Sequence, residues 1–157
     1  MKDYLISITV KNEPGVLMRI SNLFSKRAYN IDSLTVGEAE DNKFAKITIS
    51  TRADEGVKDQ IISQLEKMYV VKSVQLLTDD KTFARELMLV QINSSNESQA
   101  SLIKIACDNS AKIVNMSDNS IMFEISGDRK TLNNFLKLLK PFGDAKFSRT
   151  GVTAISL

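Results

Sequence analysis

The residue types and spacing most suited to chemistry lie in the stretch Asn12-Glu13-Pro14-Gly15. Pro14 fixes its own φ, and Gly15 accepts a positive φ and leaves its backbone open to another group. The stretch is predicted to be a turn that opens directly into a helix, whose first N–H groups have no acceptor within the helix. Such a helix end carries roughly half a positive charge and suits a carboxylate or a phosphate. On local sequence alone, a purely structural turn is the favoured interpretation, because Pro and Gly are common between a strand and a helix.

The flanking runs predict the elements that position this turn. Ile6, Ile8 and Val10 alternate with polar residues, which is the period of a half-buried strand. After the turn the apolar period becomes helical, and a second strand follows that ends at Val36. The apolar helical positions are Val16, Leu17, Ile20, Leu23 and Phe24.

The same order of elements is predicted twice. In the first half a strand over 44–51 forms a hairpin with the strand that ends at residue 36, and a helix capped by Asp54 and a strand over 70–77 follow. The second half has strands over 85–93, 111–116, 120–126 and 145–148, a helix that begins at a capping box of Ser94 with Glu97, and a helix ended near Pro141. The predicted fold class is α+β, with two ferredoxin-like βαββαβ domains in tandem.

The predicted domain boundaries are 1–78 for the first domain, 79–84 for a polar linker and 85–157 for the second domain. Each half is shorter than 80 residues, so a lone sheet would leave apolar surface or strand edges exposed, and association with another copy or another protein is expected. The second half has no Asn-x-x-Gly turn between its first strand and helix. A ligand is therefore expected in the first half.

Composition is that of an ordinary globular protein of 157 residues, 43% hydrophobic and 25% charged. The net charge is +2 with both signs interspersed, which gives no indication of nucleic-acid binding. No signal peptide and no run of 18 apolar residues are apparent, so a cytoplasmic protein without membrane attachment is expected. The single cysteine, Cys107, lies in a helical pattern that predicts a buried, inert thiol.

The sequence offers no catalytic constellation and no metal site. It contains no histidine, no phosphate-binding glycine loop and no serine nucleophile elbow. The clustered carboxylates Glu38, Glu40 and Asp41 are predicted to lie in a solvated hairpin turn. RNA-binding domains share the βαββαβ order, but they need aromatic platforms, and the predicted central strands offer only Phe44.

The run from Lys11 to Val36 resembles the amino-terminal ACT domain of the acetolactate synthase (acetohydroxyacid synthase) small-subunit family. The run RELMLVQI from Arg85 and the closing SRTGVTAIS resemble the carboxy-terminal domain of the same family. The family usually has Gly at the position of Ala28, where Gly would favour a left-handed helix exit. The resemblance in the first run is carried by Asn12, Glu13, Gly15, Leu17, Arg19 and Ile20, and by LFSKRAYNIDSLTV from Leu23 onward.

The resemblance implies a regulatory subunit that has no catalytic site of its own. Such a subunit activates a catalytic large subunit, which converts two pyruvates to 2-acetolactate and CO2, and confers feedback inhibition by valine or another branched-chain amino acid. Thiamine diphosphate, Mg and FAD are expected on the large subunit and no cofactor on this chain. A homodimer through the ACT domains is expected. The alternative is a free-standing amino-acid sensor built of two ACT-like repeats.

The family also implies an effector site shared by two chains. Asn12, Gly15 and the N–H groups of Val16 and Leu17 would hold the inhibitor from one chain. Asn30 and Ile31 would come from the partner chain and meet its ammonium and carboxylate end, with Thr35 and Gln60 as weaker candidates. A structural interpretation stands beside each assignment: Asn30 satisfies backbone groups at the helix exit, and Leu17 and Ile31 belong to the core.

Overall fold

The two predicted series of elements fold as two separate units in the computed structural model, which describes residues 1–78 and 81–157. Unit 1 comprises Met1–Ala84 and Gly151–Leu157, and unit 2 comprises Arg85–Thr150. Each unit has an antiparallel sheet and two helices. The prediction of an α+β fold with two βαββαβ domains is confirmed.

Unit 1 begins with the complete βαββαβ order. Its sheet has the strand order β2-β3-β1-β4, so the two strands at the centre are not consecutive in sequence. The elements are β1 (Lys2–Lys11), α1 (Val16–Lys26), β2 (Ser33–Glu38), β3 (Phe44–Ala53), α2 (Glu55–Glu66) and β4 (Val71–Leu77).

The core of unit 1 lies between one face of this sheet and the two helices. Ile6 pairs with Ile49 and Ile8 with Ile47, so the apolar alternation of two neighbouring strands falls on the same face. Val16, Ile20 and Phe24 recur every fourth residue and form one buried stripe of α1. Each such buried side chain contributes roughly 1.5–3 kcal/mol relative to exposure. The period changes read from the sequence therefore correspond to a packed core.

The exit of α1 is left-handed although it lacks glycine. Ala28 has φ 54°, its N–H donates to Ser25 O at 3.1 Å, and the N–H of Tyr29 donates to Phe24 O at 2.9 Å. These two bonds are those of a Schellman motif. The Tyr29 ring packs edge-on against Phe24, with 6.1 Å between the ring centroids. The chain therefore adopts the conformation that a glycine would favour there, with an alanine in its place.

Asp54 is the N-cap residue of α2, as predicted, but its side chain makes no capping hydrogen bond. Its Oδ1 lies 3.0 Å from the amino terminus of Met1 instead. The first turn of α2 carries Glu55, a charge of the sign that suits a helix N-terminus. The position of the helix start was predicted correctly, and the capping bond was not.

Unit 2 repeats the order of elements with its own sheet, β6-β7-β5-β8. Its core contains the inward positions of β5, paired with those of β7, for example Val90 with Phe123. The elements are β5 (Thr82–Asn93), α3 (Asn96–Asp108), β6 (Lys112–Ser117), β7 (Ser120–Gly127), α4 (Arg129–Leu139), a 3-10 turn (Lys140–Phe142) and β8 (Lys146–Arg149).

Two details of α3 correct the sequence reading. The capping box is formed by Ser95 and Ser98, with the Ser95 N–H donating to Ser98 Oγ at 2.9 Å, rather than by Ser94 and Glu97. Cys107 is exposed, not buried. The buried residues Leu102 and Ala106 are four apart on one face of α3, and the next residue points about 100° away from that face.

The last seven residues fold with unit 1. They include a strand that was not predicted, β9 (Thr153–Ser156), which pairs with β5, whose first residues, Thr82–Ala84, also belong to unit 1. The N–H of Leu157 donates to Lys81 O at 2.8 Å. The compact units thus differ from the predicted division, in which 85–157 form one domain and 79–84 a linker; β5 already begins at Thr82. Asp79 and Asp80 of that linker lie outside the described residues, and the boundaries of the functional domains stay a prediction.

Candidate ligand site

The turn between β1 and α1 has the backbone that its sequence predicts. Gly15 adopts φ 84° and ψ −4°, a left-handed conformation that other residues adopt only with strain. A Cβ built on Gly15 has no heavy atom within 4 Å outside its chain neighbours. The glycine is therefore required by the backbone, and the space in front of it is open to a ligand.

Asn12 fixes this turn to the neighbouring hairpin. Its backbone N–H donates to Lys43 O at 2.8 Å, and its side-chain Nδ2 donates to Asn42 O at 3.1 Å. Both acceptors lie in the β2–β3 connection. This bond uses one of the two N–H groups of Nδ2, so the other N–H and the side-chain oxygen of Asn12 remain for a ligand.

The first turn of α1 leaves N–H groups free. The N–H of Arg19 donates to Gly15 O at 3.1 Å, which is the first bond of the helix, and the N–H of Val16 makes a long contact of 3.4 Å with Glu13 O. The Leu17 N–H has no acceptor among the described residues. An anion placed at this end would meet backbone donors and the positive end of the helix dipole.

The other helices of the described chain have an acidic residue or a side-chain cap at this position. The first turns of α2 and α3 carry Glu55 and Glu97, and Asp128 caps α4 by accepting from the Thr131 N–H at 2.7 Å. α1 has neither an acidic residue in its first turn nor a side-chain cap. Among these four helices, α1 is the one whose N-terminus remains open to an external carboxylate.

Asn30 lies at the opposite end of α1, in a polar network. Its Nδ2 donates to Asp32 Oδ1 at 2.7 Å, and its backbone oxygen accepts from the Thr51 hydroxyl. Arg52 contacts both oxygens of Asp32 at 3.2 Å. The hydrogen bond to Asp32, together with the charge of that carboxylate, raises the pKa of the Arg52 guanidinium above its ordinary value. The network leaves the side-chain oxygen of Asn30 as the group that can accept from an ammonium.

The two groups of predicted site residues are too far apart to meet within one chain. α1 has 11 residues, and at 1.5 Å per residue it separates Gly15 from the Asn30 end by about 16 Å. A small amino acid cannot bridge that distance. One chain brings Asn12, Gly15, Val16 and Leu17 together, whereas Asn30 and Ile31 form a separate group.

The apolar members of the predicted site differ in exposure. Leu17 is 43% exposed, so the alternative that it belongs to the core does not hold. Val16 is buried and contributes only its backbone to the surface of the turn. Ile31 is partly buried and packs against the core, as its structural interpretation has it.

Gln60 and Thr35, the weaker candidates, lie apart from the turn. Gln60 is on α2, where its Oε1 accepts from the Tyr29 hydroxyl at 3.2 Å, next to the Asn30 group. Thr35 pairs with Thr48 on the sheet face away from the helices. A Cβ added at Gly151 would lie 2.6 Å from the Thr35 hydroxyl, so the tail residue Gly151 sits directly on it. The structure therefore groups Gln60 with Asn30 and leaves Thr35 outside both groups.

Asp32 and Arg52 are the site-related residues that sequence reasoning missed. Asp32 stands two residues after Asn30, a spacing that could have indicated a local hydrogen bond. Arg52 is 20 residues further along, and only the β2–β3 pairing brings it near. Within 1–78 and 81–157 there is no group of three potential metal ligands, and no helix in those ranges is both long and apolar enough to cross a bilayer.

Comparison with known families gives two matches that together cover most of the chain. The family described as "AHAS small subunit-like ACT domain" matches residues 6–73, and the family described as "Small subunit of acetolactate synthase" matches residues 85–157. The first match contains the Asn12–Gly15 turn and the Asn30 network. The second begins within β5, at Arg85, and extends through the tail.

Curated relatives and a solved structure are similar along their whole length. A probable acetolactate synthase small subunit of Methanothermobacter thermautotrophicus is 38% identical over 154 residues, which are 98% of this chain and 92% of the relative. The acetolactate synthase small subunit of Buchnera aphidicola is 35% identical over 156 residues, 99% of this chain and 98% of that protein. The crystal structure of the small subunit from Thermotoga maritima superposes with a TM-score of 0.92 at 28% identity, covering 100% of this chain and 98% of that one.

Proposed function

The chain belongs to the family of acetolactate synthase small, regulatory subunits, and we propose that it activates a separate catalytic large subunit and makes it sensitive to a branched-chain amino acid. The observation that carries this proposal is the match of both units to the family. The absence of histidine from the chain supports a regulatory rather than a catalytic role. Thiamine diphosphate, Mg and FAD would reside on the large subunit, and the complex would work in the cytoplasm.

The proposed effector site uses the open N-terminus of α1. The carboxylate of the amino acid would accept from the free N–H group of Leu17 and from the N–H of Val16, whose contact with Glu13 O is long, with the missing side chain of Gly15 giving access. The side-chain oxygen of Asn12 lies at the same end of the helix. The exposed Leu17 side chain offers apolar surface to a branched aliphatic group.

A second chain would supply the rest of the site. The side-chain oxygen of Asn30, oriented by Asp32, would accept from the ammonium group, and Ile31 would close the apolar side. A two-fold axis beside the edge strand β2 would make two α1 helices antiparallel neighbours. The N-terminal end of one α1 would then lie beside the C-terminal end of the other, which unites the two groups that one chain holds about 16 Å apart.

Regulation then requires that the amino acid bind one arrangement of the complex more tightly than another. A ligand with equal affinity for both arrangements shifts nothing. Coupling free energies between such sites are typically about 1–3 kcal/mol. An effector held between two chains can supply this difference, because its affinity depends on how the two chains are placed.

The test is reconstitution with the large subunit of the same organism. We expect no turnover of pyruvate by this chain alone, faster turnover by the large subunit when the chain is added, and inhibition of the mixture by valine, leucine or isoleucine. The large subunit without the chain is the control for inhibition. Binding of an amino acid by the chain without any effect on the large subunit would instead identify a free-standing sensor.

A further inference from the structure

A basic groove runs between the outer faces of α1 and α2, apart from the ligand site. We define it by Arg19, Leu23 and Lys26 of α1 and by Gln64, Lys67 and Met68 at the end of α2. The α1 residues are spaced i, i+4 and i+7, so they lie on one side of that helix. None of the residues that line the groove is acidic.

The cations of the basic groove have no ion-pair partner in the part of the chain that the structure describes. Arg19, Lys26 and Lys67 form no ion pair with any residue of 1–78 or 81–157. Lys26 and Lys67 stand at helix C-termini, where the helix dipole favours cations. Arg19 is the fourth residue of α1, near the positive end of its dipole, so no such stabilisation accounts for it. The cations therefore leave an excess positive potential along the groove.

An exposed aromatic ring stands at one end of the groove. Tyr69 is 66% exposed, and its ring centroid lies 5.4 Å from the Arg19 guanidinium carbon and 5.5 Å from Lys11 Nζ. The two cations hold the ring against the surface. Tyrosine and arginine are among the residue types that are enriched where the binding energy of protein interfaces is concentrated.

The shape of the groove favours a protein segment over a small anion. Leu23 and Met68 are partly buried and form an apolar floor between the cations. Arg19 and Lys26 are seven residues apart, which is about 10.5 Å along the helix, a length that an extended segment with more than one carboxylate can follow. A segment with carboxylates on its edges and apolar side chains between them would match floor and charges together.

A second copy of this chain is not the expected occupant. A two-fold contact centred on the groove would place the same patch on both chains, so the cations of one groove would face those of the other. We propose that the basic groove binds a carboxylate-bearing segment of the catalytic large subunit. This inference rests on the proposed function, which supplies the partner, and charge complementarity supplies the surface.

The first experiment measures the affinity of the full chain for the large subunit after charge reversal. Lys26→Glu with Lys67→Glu should weaken binding about 10-fold or more, because two attractions become repulsions. The matched control is Lys104→Glu with Lys130→Glu, exposed lysines of α3 and α4, which changes the net charge equally and should bind like the wild type. The neutral variant Lys26→Gln with Lys67→Gln places no negative charge at the helix C-termini. The logarithm of its dissociation constant should rise about half as much as that of the charge-reversed variant.

The second experiment identifies what lies in the groove. A carbodiimide joins amines to carboxylates in direct contact, so the reconstituted complex should give cross-links from Lys26 or Lys67 to Asp or Glu of the large subunit. Cross-links from these lysines to a second copy of this chain, or unchanged affinity of the reversed variant, would overturn the inference while the proposed function stands. A wild-type chain that does not bind the large subunit would overturn both.

Discussion

At Gly15 the backbone conformation and the access of a ligand depend on the same missing side chain. Gly15→Asp would place a carboxylate at the open N-terminus of α1, where the carboxylate of the amino acid is proposed to bind. We expect the concentration of valine for half-inhibition to rise about 10- to 100-fold, because the loss of one charged hydrogen bond weakens binding by about this factor. Activation of the large subunit should persist. The measurement is a valine titration of the reconstituted enzyme.

The matched control is Gly15→Asn, because φ 84° strains any side chain. Asn and Asp tolerate the left-handed conformation better than other residues do, so the two variants should lose similar stability. They differ in charge alone. Equal inhibition by valine of the wild type and a folded Gly15→Asp variant, with circular dichroism as the folding check, would show that the turn is only structural.

Ala28 offers a stability test that is independent of function. A non-glycine residue in the left-handed region costs roughly 1–2 kcal/mol of stability. Glycine avoids this strain but loses about 0.4–1 kcal/mol, because its unfolded chain has more conformational freedom. Ala28→Gly should therefore stabilise unit 1 by roughly 0.5–1 kcal/mol in urea unfolding. Ser110, φ 56°, ends α3 in the same way, and Ser110→Gly should do the same for unit 2. A loss of stability in both variants would contradict the assigned helix exits.

At the scale of elements, the sequence predicts what depends on local periodicity and misses what depends on distant pairing. The β1–turn–α1 unit was predictable because Ile6, Ile8 and Val10 alternate and Gly15 follows Pro14. The strand β9 was missed because its pairing with β5 joins segments about 70 residues apart. The distance between the Gly15 group and the Asn30 group is set by the length of α1, so it becomes evident only when the bounds of that helix are known.

The N-terminus of α4 depends on an ionised cap. The backbone hydrogen bond from Thr131, followed by the bond from the Thr131 side chain, lowers the pKa of Asp128 below its ordinary value. The stabilisation is thus fully present above the unfolded carboxyl pKa of about 3.9 and is lost as the pH falls through the lower folded-state value.

The corresponding prediction compares Asp128→Asn with the wild type. The variant keeps a capping oxygen and removes the charge, so it should be less stable at pH 7, and the difference in free energy of unfolding should shrink below pH 4. Urea unfolding at pH 7 and pH 3 measures both values. A difference that stays constant with pH would show that the ionised form contributes nothing.

The tail is attached to β2 at a position that excludes a side chain. A Cβ on Gly151 would lie 2.6 Å from the Thr35 hydroxyl and 2.8 Å from the backbone oxygen of Leu34. Gly151→Ala should destabilise unit 1 by about 1–3 kcal/mol, the usual range for overpacking. Hydrogen exchange should show faster exchange of the Leu157 amide, which is bonded to Lys81 O.

Gly37, which lies on β2, is the control for this substitution. A Cβ on Gly37 meets nothing within 4 Å, and its φ lies outside the left-handed region. Gly37→Ala should leave stability and exchange nearly unchanged. If Gly151→Ala behaved in the same way, the contact between the tail and β2 would carry no energy.

At the scale of the whole molecule, the proposed site makes function depend on a pair of chains. β2 is an edge strand of the unit 1 sheet, and Val36 on it is 45% exposed. Glu38, at the end of β2, pairs with Ala45, and Ala45 also pairs with Val10 near the end of β1. The end of β2 therefore lies near the Asn12–Gly15 turn, and Val36 is in that half of the strand. An antiparallel partner along this edge would bring the Asn30 end of the second chain to that half.

Val36→Lys tests this pairing. An unpaired lysine buried in an interface costs several kcal/mol, so the dissociation constant of the dimer should rise at least about 100-fold. Val114→Lys in unit 2, where Val114 is 41% exposed, is the matched control and should leave the dimer intact. Sedimentation at micromolar concentration should give a dimer for the wild type and the control and a monomer for Val36→Lys. Each site needs Asn30 of the second chain, so the reconstituted Val36→Lys enzyme should also lose its response to valine. A monomeric variant that is still inhibited at the wild-type concentration of valine would show that one chain holds the complete site.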